Sequence, residues 1–294
     1  MAPSKPPVKA PLAPKYEELQ SIYDISNEFF ELFLGPTMGY TCGYYERDDM
    51  TTDEAQNAKF DLALGKLNLE PGMTLLDVGC GWGGGMQRAL EKFDVNVIGL
   101  TLSKSQQEYA IAKLAKVPTS RTVEVRLQGW EEFDEKVDRI VSIGAFEHFG
   151  HDRYDAFFEK SYAALPSDGT MLLHTITGVN LADGEKLGLK MTFELARFAK
   201  FIMTEIFPGG RLPSVSMVEE KAAKAGFTVQ RVHLIGPHYV KTLQGWAAAL
   251  EANRERAIAV QSQEVYDRYD KYLNGCVQLF REGYTNLGQF TLQK

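Results

Sequence analysis

The chain has 294 residues, of which 44% are hydrophobic and 24% charged, and 32 Lys+Arg against 39 Asp+Glu give a formal net charge of -7. This composition supports one large globular domain with a real core and excludes collagen-like, wholly disordered and disulfide-framework classes. No apolar run reaches the roughly 18 residues of a membrane span, no signal segment opens the chain, and the acidic balance argues against a nucleic-acid partner.

Residues 1–15, MAPSKPPVKAPLAPK, hold five prolines and three lysines (Lys5, Lys9 and Lys15) with no acid, and are expected to be a disordered basic tail. Such a tail is either an inert leader or a weak electrostatic contact for an acidic partner or a lipid surface. From Tyr16 to Leu34 aromatic and aliphatic residues crowd a helical pattern, with Ser26 or Asn27 as a cap between two short helices. Residues 53–69 predict one amphipathic helix through Ala58, Leu62 and Leu69.

Strand and helix then alternate. Apolar runs at Thr74–Gly79, Val95–Leu100, Val123–Leu127, Val137–Ile143 and Met171–Ile176 are separated by helical spacers, including 85–93 and 103–115. This rhythm predicts an α/β fold, a mostly parallel sheet with helices on both faces. Residues 178–214 break it with a long helical stretch, EKLGLKMTFELARFAKFIMTEIF, ended by Pro208-Gly209-Gly210 and expected to form a substrate lid. Thr228–Leu234 predicts another strand, residues 242–282 are mostly helical, and Gln289–Leu292 is expected to be a last edge strand.

The sharpest motif is Leu75-Leu76-Asp77-Val78-Gly79-Cys80-Gly81-Trp82-Gly83-Gly84-Gly85, between the first strand and its helix. Glycines there allow a sharp turn and a close approach of ligand to backbone. Dinucleotide enzymes share that feature, but the order Asp-x-Gly-x-Gly suits a cationic ligand portion better than a pyrophosphate. It resembles the turn of Rossmann-like S-adenosylmethionine-dependent methyltransferases. The second strand ends in Gly99-Leu100-Thr101-Leu102-Ser103 without the acid that often grips ribose, leaving Gln106 as the nearest polar group. Trp130 could offer a ring face to a base or simply pack in the core.

After the fourth strand the chain reads Ile143-Gly144-Ala145-Phe146-Glu147-His148-Phe149-Gly150-His151, not the Asn/Asp-Pro-Pro-aromatic motif of base methylation. Glu147, His148 and His151 lack the further ligand cluster that a metal centre needs, so no metal is expected. His174 lies inside an apolar run, where it is either a hydrogen-bonded core residue or a site residue beside Glu147. The three cysteines, Cys42, Cys80 and Cys276, cannot all pair, which fits reduced thiols in the cytoplasm.

The segments TCGYYERDDMT (41–51), LLDVGCGWGG (75–84), VIGLTLSKSQ (97–106), VDRIVSIGAFEHFGH (137–151), MLLHTIT (171–177), KFIMTEIFPGGRLPS (200–214), PHYVKTL (237–243) and LNGCVQLFREGYTNLGQFTL (273–292) together resemble the mycolic acid cyclopropane synthases of mycobacteria. The resemblance covers residues 16–294 and implies one methyltransferase domain, with seven strands, a helical segment at 16–70 over the active site and a lid at 178–214. It implies transfer of a methylene from S-adenosylmethionine to a double bond of a long acyl chain, through a carbocation deprotonated by bound bicarbonate. The bicarbonate would be held by Cys42, Glu147, His174, the backbone of Ile176, and Tyr239; Cys276 matches a family cysteine whose role is either catalytic or structural. The cofactor positions implied are Tyr40, Thr41, Asp77, Gly79, Gly81, Trp82, Thr101, Leu102, Gln106, Trp130, Glu131 and Ile143. Relatives that hydrate the cation to a hydroxylated, methyl-branched product carry Glu where this chain has Gly144 and replace His174, so ring closure is expected here. An acyl carrier protein is the expected carrier of the chain. A non-catalytic lipid- or partner-binding fold and a small-molecule O- or N-methyltransferase are the alternatives.

Overall fold

The computed structural model describes residues 12–14, 20, 25–179 and 181–294. Most of the predicted tail and of the first predicted helix lies outside the described residues. Helix α1 (Asn27–Leu34) opens at Ser26, whose Oγ accepts from the N–H of Phe29 at 3.3 Å. Helix α2 (Thr52–Gly65) starts with a capping box: Thr51 Oγ1 accepts from the N–H of Glu54, whose carboxylate accepts from the N–H of Thr51. Its buried face is Ala55, Gln56, Lys59, Phe60, Ala63 and Leu64, while Ala58 and Leu62 are only half-buried. The expected apolar stripe is therefore displaced, because the face turned inward covers a polar cleft as well as core.

Next come β1 (Thr74–Val78), α3 (Gly84–Phe93), β2 (Asn96–Thr101), α4 (Lys104–Leu114), β3 (Val123–Leu127) and β4 (Arg139–Ile143). They are followed by α5 (Tyr154–Ala164), β5 (Thr170–Gly178), α6 (Leu181–Lys186), α7 (Phe193–Phe201) and a π-helical turn, Ile202–Ile206. The remainder is α8 (Val215–Lys224), β6 (Thr228–Leu234), α9 (Gly236–Ala252), α10 (Arg254–Val260), α11 (Gln263–Glu282) and β7 (Thr285–Gln293). The segment expected to form a lid is thus two helices and a π turn rather than one long helix. Gly188, at φ +70°, stops the first, and Thr192 caps the second by accepting from the N–H of Leu195.

The seven strands lie in the order β3-β2-β1-β4-β5-β7-β6. β1 to β5 pair in parallel, and β7 runs antiparallel to both β5 and β6. The last strand is therefore not an edge, as expected from sequence, but is inserted between two others. Leaving β1, the chain crosses first to β2 on one side and later to β4 on the other. This reversal opens a crevice at the carboxyl ends of β1 and β4.

One core, built on Phe146, Tyr154, Phe157 and Phe158, packs α5 and α8 against the sheet, with Phe146 and Tyr154 stacked at 3.8 Å. A second, aromatic core of Phe29, Phe30, Phe33, Trp246 and Tyr269 joins α1 to α9 and α11. Trp82 belongs to it and donates Nε1–H to Asn27 Oδ1 at 2.7 Å. That bond ties α1 to the glycine turn.

Candidate active site

Gly79 and Gly81 both take positive φ, +81° and +54°. A Cβ on Gly79 would stand 2.3 Å from the Cβ of Ala145, whereas one on Gly81 would meet nothing within 4 Å. The first glycine is required by the fold. The second leaves bare backbone facing open space, the condition for close ligand approach.

A cleft of about 130 Å³ runs over this turn. It is lined at one end by Tyr40, Thr41, Lys59 and Asp77, in the middle by Thr101, Leu102 and Gln106, and at the far end by Trp130 and Glu131, with Ile143 in its wall. Thr101 Oγ1 donates to Gln106 Oε1 at 3.0 Å, so the two form one polar unit where an acid was absent from the sequence. Leu102 contributes backbone, its carbonyl accepting from Gln20 Nε2 at 3.3 Å. Trp130 lines the cleft and also packs edge-on against Phe157 at 5.3 Å. Glu131 is paired with Arg153, which also donates to the carbonyl of Ala13 at 2.8 Å. Thus Leu12–Pro14, inside the stretch expected to be a free tail, touches the end of the cleft, with Pro14 against Gly129.

Lys59 was not legible as a site residue. It is fully buried, donates to Thr41 Oγ1 at 2.8 Å and stands 3.5 Å from the ring centre of Phe60. Burial pulls its pKa down to about 7 and pushes that of Asp77 up to about 7, each partly offset by the other's charge. A lysine and an aspartate at one end of a cleft are fitted to a zwitterionic end group.

A second cavity, of about 770 Å³, adjoins the first. Its lining includes Glu147, His174, Ile176, Tyr239 and Cys276, rings such as Phe207, Tyr272 and Phe280, and aliphatic side chains of the 178–214 segment. Tyr40, Thr41, Gly144 and His148 line both cavities, so the two meet there. Gly144, at φ +72°, lets the walls close: a Cβ would lie 2.3 Å from Thr41 Cγ2.

Four of the predicted catalytic side chains face this second cavity. Glu147 Oε1 accepts from the N–H of Ile176 at 2.6 Å, while Oε2 is buried without a hydrogen-bond partner among the described residues. Burial pushes the Glu147 pKa up to about 6. His174 Nε2 is likewise buried without a partner among the described residues. Burial holds both His148, at about 4, and His174, well below the ordinary value, in the neutral form. The N–H of Ile176 is occupied by Glu147, so that backbone position holds the carboxylate. Cys42 lines neither cavity; its thiol donates to the carbonyl of Gly43 at 3.1 Å, and burial raises its pKa strongly. Cys276 lines the cavity, and burial raises its pKa to about 12, so it is a thiol rather than a nucleophilic thiolate. Among the described residues no group of three or more His, Cys, Asp or Glu is placed to hold a metal, and no helix is long and apolar enough to cross a membrane.

A seven-stranded sheet of this order, with an Asp-x-Gly-x-Gly turn at its crevice, defines an S-adenosylmethionine-dependent methyltransferase of α/β fold. The profile of the family "Mycolic acid cyclopropane synthetase" matches residues 11–290. The S-adenosylmethionine-dependent methyltransferase UmaA of Mycobacterium tuberculosis is 63% identical over 283 residues, covering 96% of this chain and 99% of the relative. Cyclopropane mycolic acid synthase 1 of the same organism is 62% identical with the same coverage. The crystal structure of mycolic acid cyclopropane synthase CmaA1 complexed with SAH and CTAB superposes with a TM-score of 0.93 at 61% identity, over 96% of this chain and 99% of that one. The chain belongs to the mycolic acid cyclopropane synthetase family.

Proposed function

We propose that the protein closes a cyclopropane ring on a long unsaturated acyl chain of mycolic type. The observation that carries this reading is the meeting of two unlike cavities at Tyr40, Thr41, Gly144 and His148, one floored by glycines and holding Asp77 and Lys59, the other far larger and lined mainly by apolar side chains. The relative CmaA1 has been crystallised in complex with SAH and CTAB, which supports a nucleoside in the first cavity and an alkyl chain in the second. When bound, S-adenosylmethionine supplies an electrophilic methyl that the π electrons of a double bond displace from sulfur, leaving a carbocation on the chain.

The chain's own residues serve three tasks. Asp77 and the bare backbone at Gly81 receive the cationic donor, and Lys59 balances its carboxylate. The rings of Tyr40, Phe207, Tyr272 and Phe280 line this cavity, where aromatic π electrons would stabilise a cation. Neutral His148 and His174 add no repulsive charge. The residues fit a small oxyanion such as bicarbonate: Glu147 Oε2 and His174 Nε2 are orphaned buried atoms on one cavity, and Tyr239 lines the same wall. Bicarbonate there would supply the base that takes up the proton lost on ring closure. Glu147, pushed up to about 6, is suited to share a proton with it, and Cys42 would act from behind the wall.

Gly144 supports ring closure over hydration. A carboxylate at the junction would hold water beside the cation, and here the position has no side chain. The acyl chain is proposed to arrive on an acyl carrier protein in the cytoplasm, where free thiols such as the three here persist. The test is incubation with S-adenosylmethionine and a cis-unsaturated chain, either carrier-bound or in phospholipid, with and without removal of dissolved carbon dioxide. The expected product gains one CH2 on the carrier-bound chain and fails to form without bicarbonate. Gain of a methyl and a hydroxyl would overturn the reading in favour of the hydrating branch.

A further inference from the structure

His174, Gln289 and His233 stand side by side on three neighbouring strands: β5 pairs His174 with Gln289, and β7 pairs Gln289 with His233. Lys66, the C-cap of α2, reaches over this row. Its Nζ lies 2.6 Å from Gln289 Oε1 and 3.1 Å from His233 Nδ1, while Gln289 Nε2 lies 3.2 Å from His174 Nδ1. Gln289 and His174 are fully buried.

The proton positions in this row follow from what each group can do. Partial burial and the charge of Arg231 bring the Lys66 pKa down to about 8, so at neutral pH the ammonium persists and can only donate. It must therefore face the oxygen of the Gln289 amide, and the amide nitrogen must face His174. An NH2 group cannot meet an N–H, so Nδ1 of His174 has to be the acceptor. Burial first, and then the charges of Lys59 and Lys66, keep that ring neutral, and a neutral imidazole carries one proton. That proton sits on Nε2, the orphaned nitrogen on the acyl cavity.

We infer that Lys66 and Gln289 are positioning residues that lock His174 in its Nε2–H tautomer, so that the cavity receives a hydrogen-bond donor rather than a lone pair. A donor binds an oxyanion, whereas a lone pair would repel it and would itself trap the cation. The service of that N–H to bicarbonate rests on the function proposed above; the lock itself does not.

The experiment reads the tautomer directly. In 15N-labelled protein, long-range proton–nitrogen correlations of the His174 ring, assigned by their loss in His174→Asn, report which nitrogen is protonated. Wild type is expected to show Nε2–H with an unprotonated Nδ1. Gln289→Glu can only accept, so it is expected to put a proton on Nδ1 and to lower turnover by about 10²-fold with S-adenosylmethionine affinity unchanged. Lys66→Met should leave a mixture of tautomers, and Lys66→Arg should restore the single form. An Nδ1–H ring in wild type overturns the inference and needs no variant. So does a Gln289→Glu protein that keeps Nδ1 bare or turns over normally. A correct tautomer with no bicarbonate dependence would overturn the proposed base while leaving the lock in place.

Discussion

The two cavities are built by different means. The cofactor cleft is mostly local: one βα turn supplies Asp77, Gly79 and Gly81, and the ends of β2 and β4 supply Thr101 and Ile143. The acyl cavity gathers Tyr40, Glu147, His174, Met203, Tyr239 and Cys276 from six separate stretches of chain. A cleft with a backbone floor is fixed by covalent geometry and tolerates few substitutions at its glycines. A cavity walled by side chains is fixed by packing, so its shape changes with single residues while the fold persists. The two cavities touch at Tyr40, Thr41, Gly144 and His148, where the proposed function places the chemistry.

Substitutions that strike one cavity and spare the other sharpen this contrast. The largest effect is expected for Glu147→Gln, which removes a buried carboxylate from the acyl side. Turnover should fall by about 10²-fold or more, while calorimetry should find S-adenosylmethionine affinity unchanged. Loss of cofactor binding in that variant would join the two cavities functionally. Gly81→Ala is the converse. Its Cβ has room in the protein, at a strain of about 1 kcal/mol for the positive φ, but points where a ligand must approach. Cofactor affinity should drop by roughly tenfold, with a melting temperature only a few degrees lower.

A subtler effect comes from pH. Asp77 and Lys59 in the free protein both titrate near 7. Raising the pH through that point ionises Asp77, which favours the sulfonium, and neutralises Lys59, which costs the carboxylate its partner, so affinity for S-adenosylmethionine should rise relative to that for S-adenosylhomocysteine, by up to about tenfold between pH 6 and 8. S-adenosylhomocysteine, whose sulfur is uncharged, should respond less in the same titration. The smallest effect is expected for Cys276→Ser, within about threefold of wild-type turnover, because no covalent step calls on a protonated thiol. Abolished turnover in that variant would require a nucleophile on the acyl side.

The same contrast explains what was legible in the sequence. The glycine turn is a local necessity, so Asp77, Gly79 and Gly81 stand out in eleven consecutive residues, and the alternating strands give a parallel sheet by the same logic. The antiparallel insertion of β7 between β5 and β6 is decided by pairing across the whole domain, and the short alternating run at 289–292 carries no sign of it. Lys59 and Lys66 were hidden because a helix pattern assigns charged residues to solvent, whereas one reaches into the cleft and the other reaches Gln289 and His233. Gln289 lies 115 residues from the histidine it orients. The strand pattern could set Glu147 and His174 at one sheet edge, but only resemblance to a family could choose a site role for the histidine over a core one.

The central claim is that a methyl carried across the junction of the cavities loses a proton and closes a ring. Supplying S-adenosylmethionine with a CD3 methyl group and weighing the acyl product tests it in one measurement. A CD2 group retained in the product, with no added oxygen, is the predicted result. A product that keeps CD3 would contradict the account, since the cation would then have been quenched without deprotonation of the transferred carbon.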